Sequence, residues 1–331
     1  MPDAQVTRED VDAAAARLEG VIRDLPLIRA QWLEDRVGGI VQLVPENLQR
    51  AGSFKIRGAY NRISQLSDDE RSRGVVAASA GNHAQGVAVA AQLLGVPATV
   101  FMPEGAAIPK VTATRGYGAD VRFAGTTVDD ALAAAATFAQ ETGAILIHPF
   151  DHRDVVAGQG TLGLEIIRKM PDVRTIVVCT GGGGLLAGIA VAAASVDPAI
   201  RVVGVQAAAA AAYPASLLEG EPIRLAAMST MADGIAVGRP GDVPFAIVQQ
   251  CVDRILTVSE EDLSRAVLLL LERAKLLVEP AGAAGAAALL SQPEALEPPV
   301  AVVLSGGNVD PLLLLRIIRH GLAANGRYLS I

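Results

Sequence analysis

Cysteine is nearly absent from this chain. Of 331 residues only Cys179 and Cys251 carry a thiol. Two are too few for a disulfide framework and lack the spacing of a metal cluster, so both are expected to pack as small buried hydrophobes. Positive charge is also short. Lysine and arginine total 28 against 35 acidic residues, and the net charge of −7 argues against a nucleic-acid partner, which would need a basic face to displace counterions. Long hydrophobic runs are missing as well: the alanine-rich stretches meet glycine, proline or charge before about 18 to 20 apolar residues accumulate, so no membrane partner is expected. Met1-Pro2-Asp3-Ala4-Gln5 lacks the basic and apolar regions of a secretory signal, and the expected location is the cytoplasm. The scarcest charge is lysine, confined to Lys55, Lys110, Lys169 and Lys275.

Apolar residues are abundant, at 51% against 19% charged, enough to bury parallel sheets on both faces. The length favours two domains. From Gly74 onward β-rich runs alternate with helical patterns. Val75–Ala78, Ala98–Phe101, Val121–Phe123 and Ile145–Ile147 read as strands. Helices are expected over 82–94, 108–115 and from the capping pattern Thr127-x-x-Asp130 to Gly143. A second series follows, with helices over 160–170 and 185–195, strands over 175–179, 201–206 and 300–304, and a long helix opened by Ser259-x-x-Asp262. The expected fold class is α/β, two doubly wound open-sheet lobes. The expected division is a large domain of residues 1–70 and 150–331 and a small domain of 71–149.

Three loops and one lysine carry the chemistry. Lys55 stands in the uncharged step Gly52-Ser53-Phe54-Lys55-Ile56 at a helix entrance. Taken alone it reads as a snorkelling lysine; desolvated, it becomes an amine able to attack a carbonyl. Thr180-Gly181-Gly182-Gly183-Gly184-Leu185 follows a strand and opens a helix, so its backbone N–H groups can converge on a phosphate. Gly182-x-Gly184-x-x-Ala187 also fits a dinucleotide fingerprint, but Gln206 stands where that reading needs a ribose-binding acid, and it gives no account of Lys55. Ser79-Ala80-Gly81-Asn82-His83 offers a hydroxyl, an amide and free N–H groups at a helix start, suited to a carboxylate and a ring hydroxyl, or to an ordinary cap. Ser305-Gly306-Gly307-Asn308 ends a strand with a hydroxyl. An amine for an aldehyde, a nest for a phosphate, an amide for a ring hydroxyl and a hydroxyl for a pyridine nitrogen together match pyridoxal 5′-phosphate.

With these motifs in order, the chain resembles the threonine/serine dehydratases (ammonia-lyases) of the tryptophan synthase β-like, fold type II family, over 46–59, 78–88, 147–165, 181–185, 232–237, 272–285 and 305–310. The resemblance implies that Lys55 forms the covalent imine link to the cofactor and later moves the α-proton. It implies that Gly181, Gly182, Gly183 and Gly184 hold the phosphate, Asn82 meets the ring hydroxyl, Phe54 packs on the ring and Ser305 faces the pyridine nitrogen. Ser79 and the loop Gly81, Asn82 and His83 would take the substrate carboxylate, with His83 given no catalytic role. The implied reaction is β-elimination of water from L-threonine or L-serine, the cofactor phosphate assisting the leaving hydroxyl, to give 2-oxobutyrate or pyruvate and ammonia.

Alternative substrates are 3-hydroxyaspartate, phenylserine or an intermediate of hydroxyectoine breakdown, with the side-chain wall expected in 105–115 and Pro149-Phe150-Asp151-His152. An amino-acid racemase is disfavoured because related racemases carry a serine where this chain has Ala80, and an acidic metal site where it has Gln206 and Ala212. No metal is therefore expected. A non-catalytic carrier of the cofactor would not need the carboxylate loop. Relatives of this kind are homodimers or homotetramers. The isoleucine-pathway members add a C-terminal regulatory domain that this chain does not show, which points to a catabolic or specialised short form.

Overall fold

The computed structural model describes residues 6–324. Strands β1 (Ile28–Arg29) and β2 (Val41–Val44) come first, and next the group β3 (Val75–Ala78), β4 (Ala98–Met102), β5 (Asp120–Phe123) and β6 (Ile145–Leu146). Strands β7 (Thr175–Cys179), β8 (Arg201–Ala207), β9 (Arg254–Val258) and β10 (Val300–Val303) complete the set. They form two sheets. One has the order β1-β2-β10-β7-β8-β9, parallel except for the antiparallel edge pair β1–β2; the other is parallel throughout, in the order β5-β4-β3-β6. The second series thus builds one sheet, to which β1 and β2 also belong. Every residue of β3, β7 and β10 is buried, the pattern of strands covered by helices on both faces. No helix among the described residues is long and apolar enough to cross a membrane.

Local signals set the helix ends. Thr127 caps the helix Val128–Thr142 in a reciprocal box with Asp130, and Gly143 closes it in the left-handed region at φ 74°. Ser259 and Asp262 open Glu260–Leu269 in the same way, but the expected long helix changes into a π-turn over Leu270–Ala274. A larger difference lies upstream. The helix expected from Gly160 begins at Arg153, with the His152 ring accepting from the Asp154 N–H. Gly158, which lies before the expected start, and Gly160, at that start, both sit inside the helix, where neighbouring helices leave no room for a side chain. A Cβ on Gly158 would lie 2.6 Å from the Arg57 carbonyl, and one on Gly160 2.8 Å from that of Gly188.

The helix Lys55–Ser64 lies between the two sheets' helices, against Asn82–Leu94 on one side and Arg153–Lys169 on the other. It is anchored by charge. Arg57, fully buried, donates to both oxygens of Glu46 at 2.8 Å, to Glu165 at 2.7 and 3.1 Å, and to Thr161 Oγ1 at 3.1 Å. The segment before it is tied to the other end of the chain. The Phe54 N–H donates to the Ser305 carbonyl at 3.1 Å and Ser53 bridges Gly306, so the lysine-bearing turn is stitched to the mouth of β10.

Candidate active site

The carboxyl ends of β3, β7 and β10 open on one cleft of about 620 Å³. Phe54, Lys55, Ser79, Gly81, Asn82, His83, Gly181, Gly182, Gly183, Gly184 and Ser305 all line it. Sequence motifs about 250 residues apart therefore meet in one volume, as expected for ligands of open α/β sheets.

Lys55 is the first residue of its helix, and its Nζ donates to the Pro149 carbonyl at 2.9 Å. Burial pulls the ammonium down to about 8, against the opposing influence of Cys179 and Glu279. Gly86 gives it space: a Cβ there would stand 2.8 Å from the Lys55 Cβ. The amine is thus held against a carbonyl, close to a working proton balance.

The glycine run leaves β7 and enters the helix Gly184–Val196. Gly183 sits at φ +99°, and a side chain on it would strike the Tyr213 hydroxyl. One on Gly182 would strike the Phe150 ring, and one on Gly181 would reach Val237 at 3.0 Å. Among the described residues no backbone acceptor meets the N–H groups of Gly181, Gly182 and Gly183. Those donors, with the helix start behind them, suit a phosphate dianion.

At the opposite wall the Gly81 N–H donates to Ser79 Oγ at 3.1 Å and Asn82 begins the helix Asn82–Leu94. His83 is buried with Nε2 2.7 Å from the Ile147 carbonyl, and burial drives its pKa down to about 3. It is a neutral donor that braces the loop. Ser305 lines the cleft beside Cys179. Cys179, expected only to pack, has its thiol pushed up to about 11 by burial and donates to Ser305 Oγ at 3.0 Å. The hydroxyl hydrogen of Ser305 is then left for the cleft. These donors fit pyridoxal phosphate group by group.

Other lining residues meet partners far away in the chain or form the side walls. Lys110, buried, forms a 2.6 Å ion pair with Asp233 across the cleft, near the Gly81 backbone. It lies in the 105–115 segment expected to form a wall. Glu279, at the start of the helix Pro280–Ser291, accepts from the Asn82 amide, and burial pushes its carboxyl up to about 7. Pro149, Phe150 and Asp151 line the cleft. His152 does not, being occupied as a helix cap. Gln206, at the position where a dinucleotide site needs an acid, is buried and accepts from the Tyr213 N–H at 2.9 Å.

The similarities to known proteins agree with this geometry. The L-threonine ammonia-lyase of Thermotoga maritima is 48% identical over 326 residues, 98% of this chain and 81% of that protein. Among solved structures, a threonine deaminase from T.th. shares 42% identity at a TM-score of 0.87, covering 92% of this chain and 99% of its own. The serine racemase of maize superposes with a TM-score of 0.90 at 33% identity, over 97% and 99% of the two chains. Residues 18–306 match the family described as pyridoxal-phosphate dependent enzyme, a stretch that holds Lys55, both glycine-bearing loops and Ser305. With the cleft's donors and its lysine matched to that cofactor, this chain belongs to the pyridoxal-phosphate dependent enzymes.

Proposed function

We propose that the protein removes water and then ammonia from L-threonine or L-serine, releasing 2-oxobutyrate or pyruvate. The observation that carries this reading is a lysine whose charged form is disfavoured by burial, lining one cleft with a glycine loop whose backbone N–H groups are open to an anion. Pyridoxal phosphate, when bound, supplies an aldehyde for the amine and an electron-withdrawing ring that acidifies the α-hydrogen. Gly181 to Gly184 would hold its phosphate, Asn82 its ring hydroxyl, Phe54 its face and Ser305 its nitrogen. Ser79 and the N–H groups of Gly81, Asn82 and His83 would orient the substrate carboxylate, with the Lys110 ammonium adding positive potential there. Lys55, uncharged in an appreciable fraction at neutral pH, would take the α-proton and hold it. The Ser305 hydroxyl, already accepting from Cys179, would meet the ring nitrogen as a neutral donor.

The large domain, residues 1–70 and 150–331, would carry the phosphate site, and the small one, 71–149, the carboxylate loop. Assembly as a homodimer or homotetramer belongs to the same reading. Likeness to a serine racemase raises racemisation as a second activity. Ala80, which lines the cleft, has no proton to deliver, so that activity is placed well below elimination. The test is 2-oxo acid release from L-threonine and L-serine by cofactor-loaded protein, with Lys55→Ala alongside. Release that vanishes in the variant supports the proposal. A loaded protein that releases none from either amino acid refutes it.

A further inference from the structure

A primary amide is directional: one end donates and the other accepts. Which end of Asn82 faces the cleft therefore decides what it can recognise. Three contacts fix that direction. Asn308 Nδ2 donates to Asn82 Oδ1 at 2.8 Å and, with its second hydrogen, to the Ala51 carbonyl at 2.7 Å. Asn82 Nδ2 in turn donates to Glu279 Oε1. Reversing the Asn82 amide would set its nitrogen against the Asn308 nitrogen, two donors facing each other, and its oxygen against the Glu279 carboxyl, which accepts from Nδ2 as it stands.

Asn308 is itself oriented by the two acceptors its Nδ2 meets, and Gly52 leaves the room it occupies. A Cβ on Gly52 would lie 2.5 Å from its Oδ1 and 3.1 Å from its Nδ2. Ala51, whose carbonyl takes the second hydrogen, holds φ at 59°, a left-handed conformation rarely adopted by residues other than glycine. Glu279 is anchored by its own N–H on the Gly306 carbonyl at 3.1 Å, and the Asn82 amide lies against Gly306, where a Cβ would stand 2.9 Å from Nδ2. One N–H of Asn82 remains without an acceptor among the described residues, on a side chain that lines the cleft.

We propose that Asn308 is a positioning residue of the cofactor site, setting the Asn82 amide so that an N–H, and not the carbonyl oxygen, meets the anionic ring oxygen. The inference rests on the reading of Asn82 given above. It makes the last residue of Ser305-Gly306-Gly307-Asn308 as functional as the first, through a contact that never touches the ligand.

Donation to the ring oxygen stabilises its deprotonated form, so losing it raises the pH at which the bound chromophore titrates. The experiment compares absorption spectra against pH for the cofactor-loaded wild type, Asn308→Asp, Asn308→Ala and Asn82→Ala. Cofactor dissociation constants and melting of the apoproteins are measured in parallel. Asn308→Asp places a carboxylate oxygen against Asn82 Oδ1. It is expected to raise the chromophore midpoint by about one unit and to weaken cofactor retention about tenfold. Asn308→Ala is expected to do the same more weakly, and carries the test if the aspartate variant does not fold. Shifts in the direction of Asn82→Ala support the proposal. A shift in Asn82→Ala alone, with the Asn308 variants merely melting lower, reduces Asn308 to a structural residue and overturns it. An unchanged spectrum in Asn82→Ala refutes the Asn82 reading, and the inference with it.

Discussion

The pKa of Lys55 can be read from the rate at which apoprotein captures its cofactor. Only the neutral amine attacks an aldehyde. With its pKa at about 8 instead of the ordinary 10.5, roughly one Lys55 in ten is neutral at pH 7, against about one in three thousand otherwise, an advantage of ~300-fold. The sign follows from burial, which disfavours the charged form. Capture should therefore rise about tenfold per pH unit below the pKa and flatten above about pH 8. Mixing apoprotein with pyridoxal phosphate in a stopped-flow spectrometer from about pH 6 to pH 10 gives this profile directly. Glu279 opposes the depression, so Glu279→Gln is expected to move the plateau to lower pH. Lys55→Ala should retain only the reversible, phosphate-dependent binding. A wild-type rate that keeps climbing log-linearly beyond about pH 9 would show an ordinary exposed lysine and refute the argument.

Three further outcomes are expected. Gly183→Ala forces a side chain onto the Tyr213 hydroxyl at φ +99°, and should weaken cofactor binding at least about tenfold in equilibrium dialysis. Lys110→Met removes the ammonium beside the carboxylate loop, and steady-state kinetics should show KM for the amino acid rising about tenfold with a smaller change in kcat. Arg57→Met leaves two carboxylates, Glu46 and Glu165, without their buried partner, and urea denaturation of the apoprotein should register a loss of about 3–5 kcal/mol.

The βα units that carry Asn82 and the glycine run are legible because each couples a short β-branched strand to small residues and a helix. The helix Pro280–Ser291 is not. It is buried along nearly its whole length, so its sequence Pro-Ala-Gly-Ala-Ala-Gly has no polar face to supply a period. The start at Arg153 escapes notice because glycine inside a helix ordinarily argues against one, and only the close approach of Arg57 and Gly188 reverses that. The chemical motifs are visible one by one, since each is local. Their partners are not. Lys110 and Asp233 lie 123 positions apart, and Asn82 and Glu279 are separated by 197. Cys179 gains a polar task only because β10 pairs beside β7, a fact of sheet order.

That sheet order also dictates when the site can exist. Strand β2 has β1 on one side and β10 on the other, so its only parallel neighbour is made about 250 residues later. The Ser53–Phe54 segment likewise finds its hydrogen-bond partners in Ser305 and Gly306. During synthesis the lysine turn consequently waits for these last contacts, although the helix behind it can already pack on Asn82–Leu94 and Arg153–Lys169. Contacts of such separation close late. A chain stalled before β10 would lack both Ser305 and the burial that disfavours the charged Lys55 amine, so the site is completed only when β10 docks.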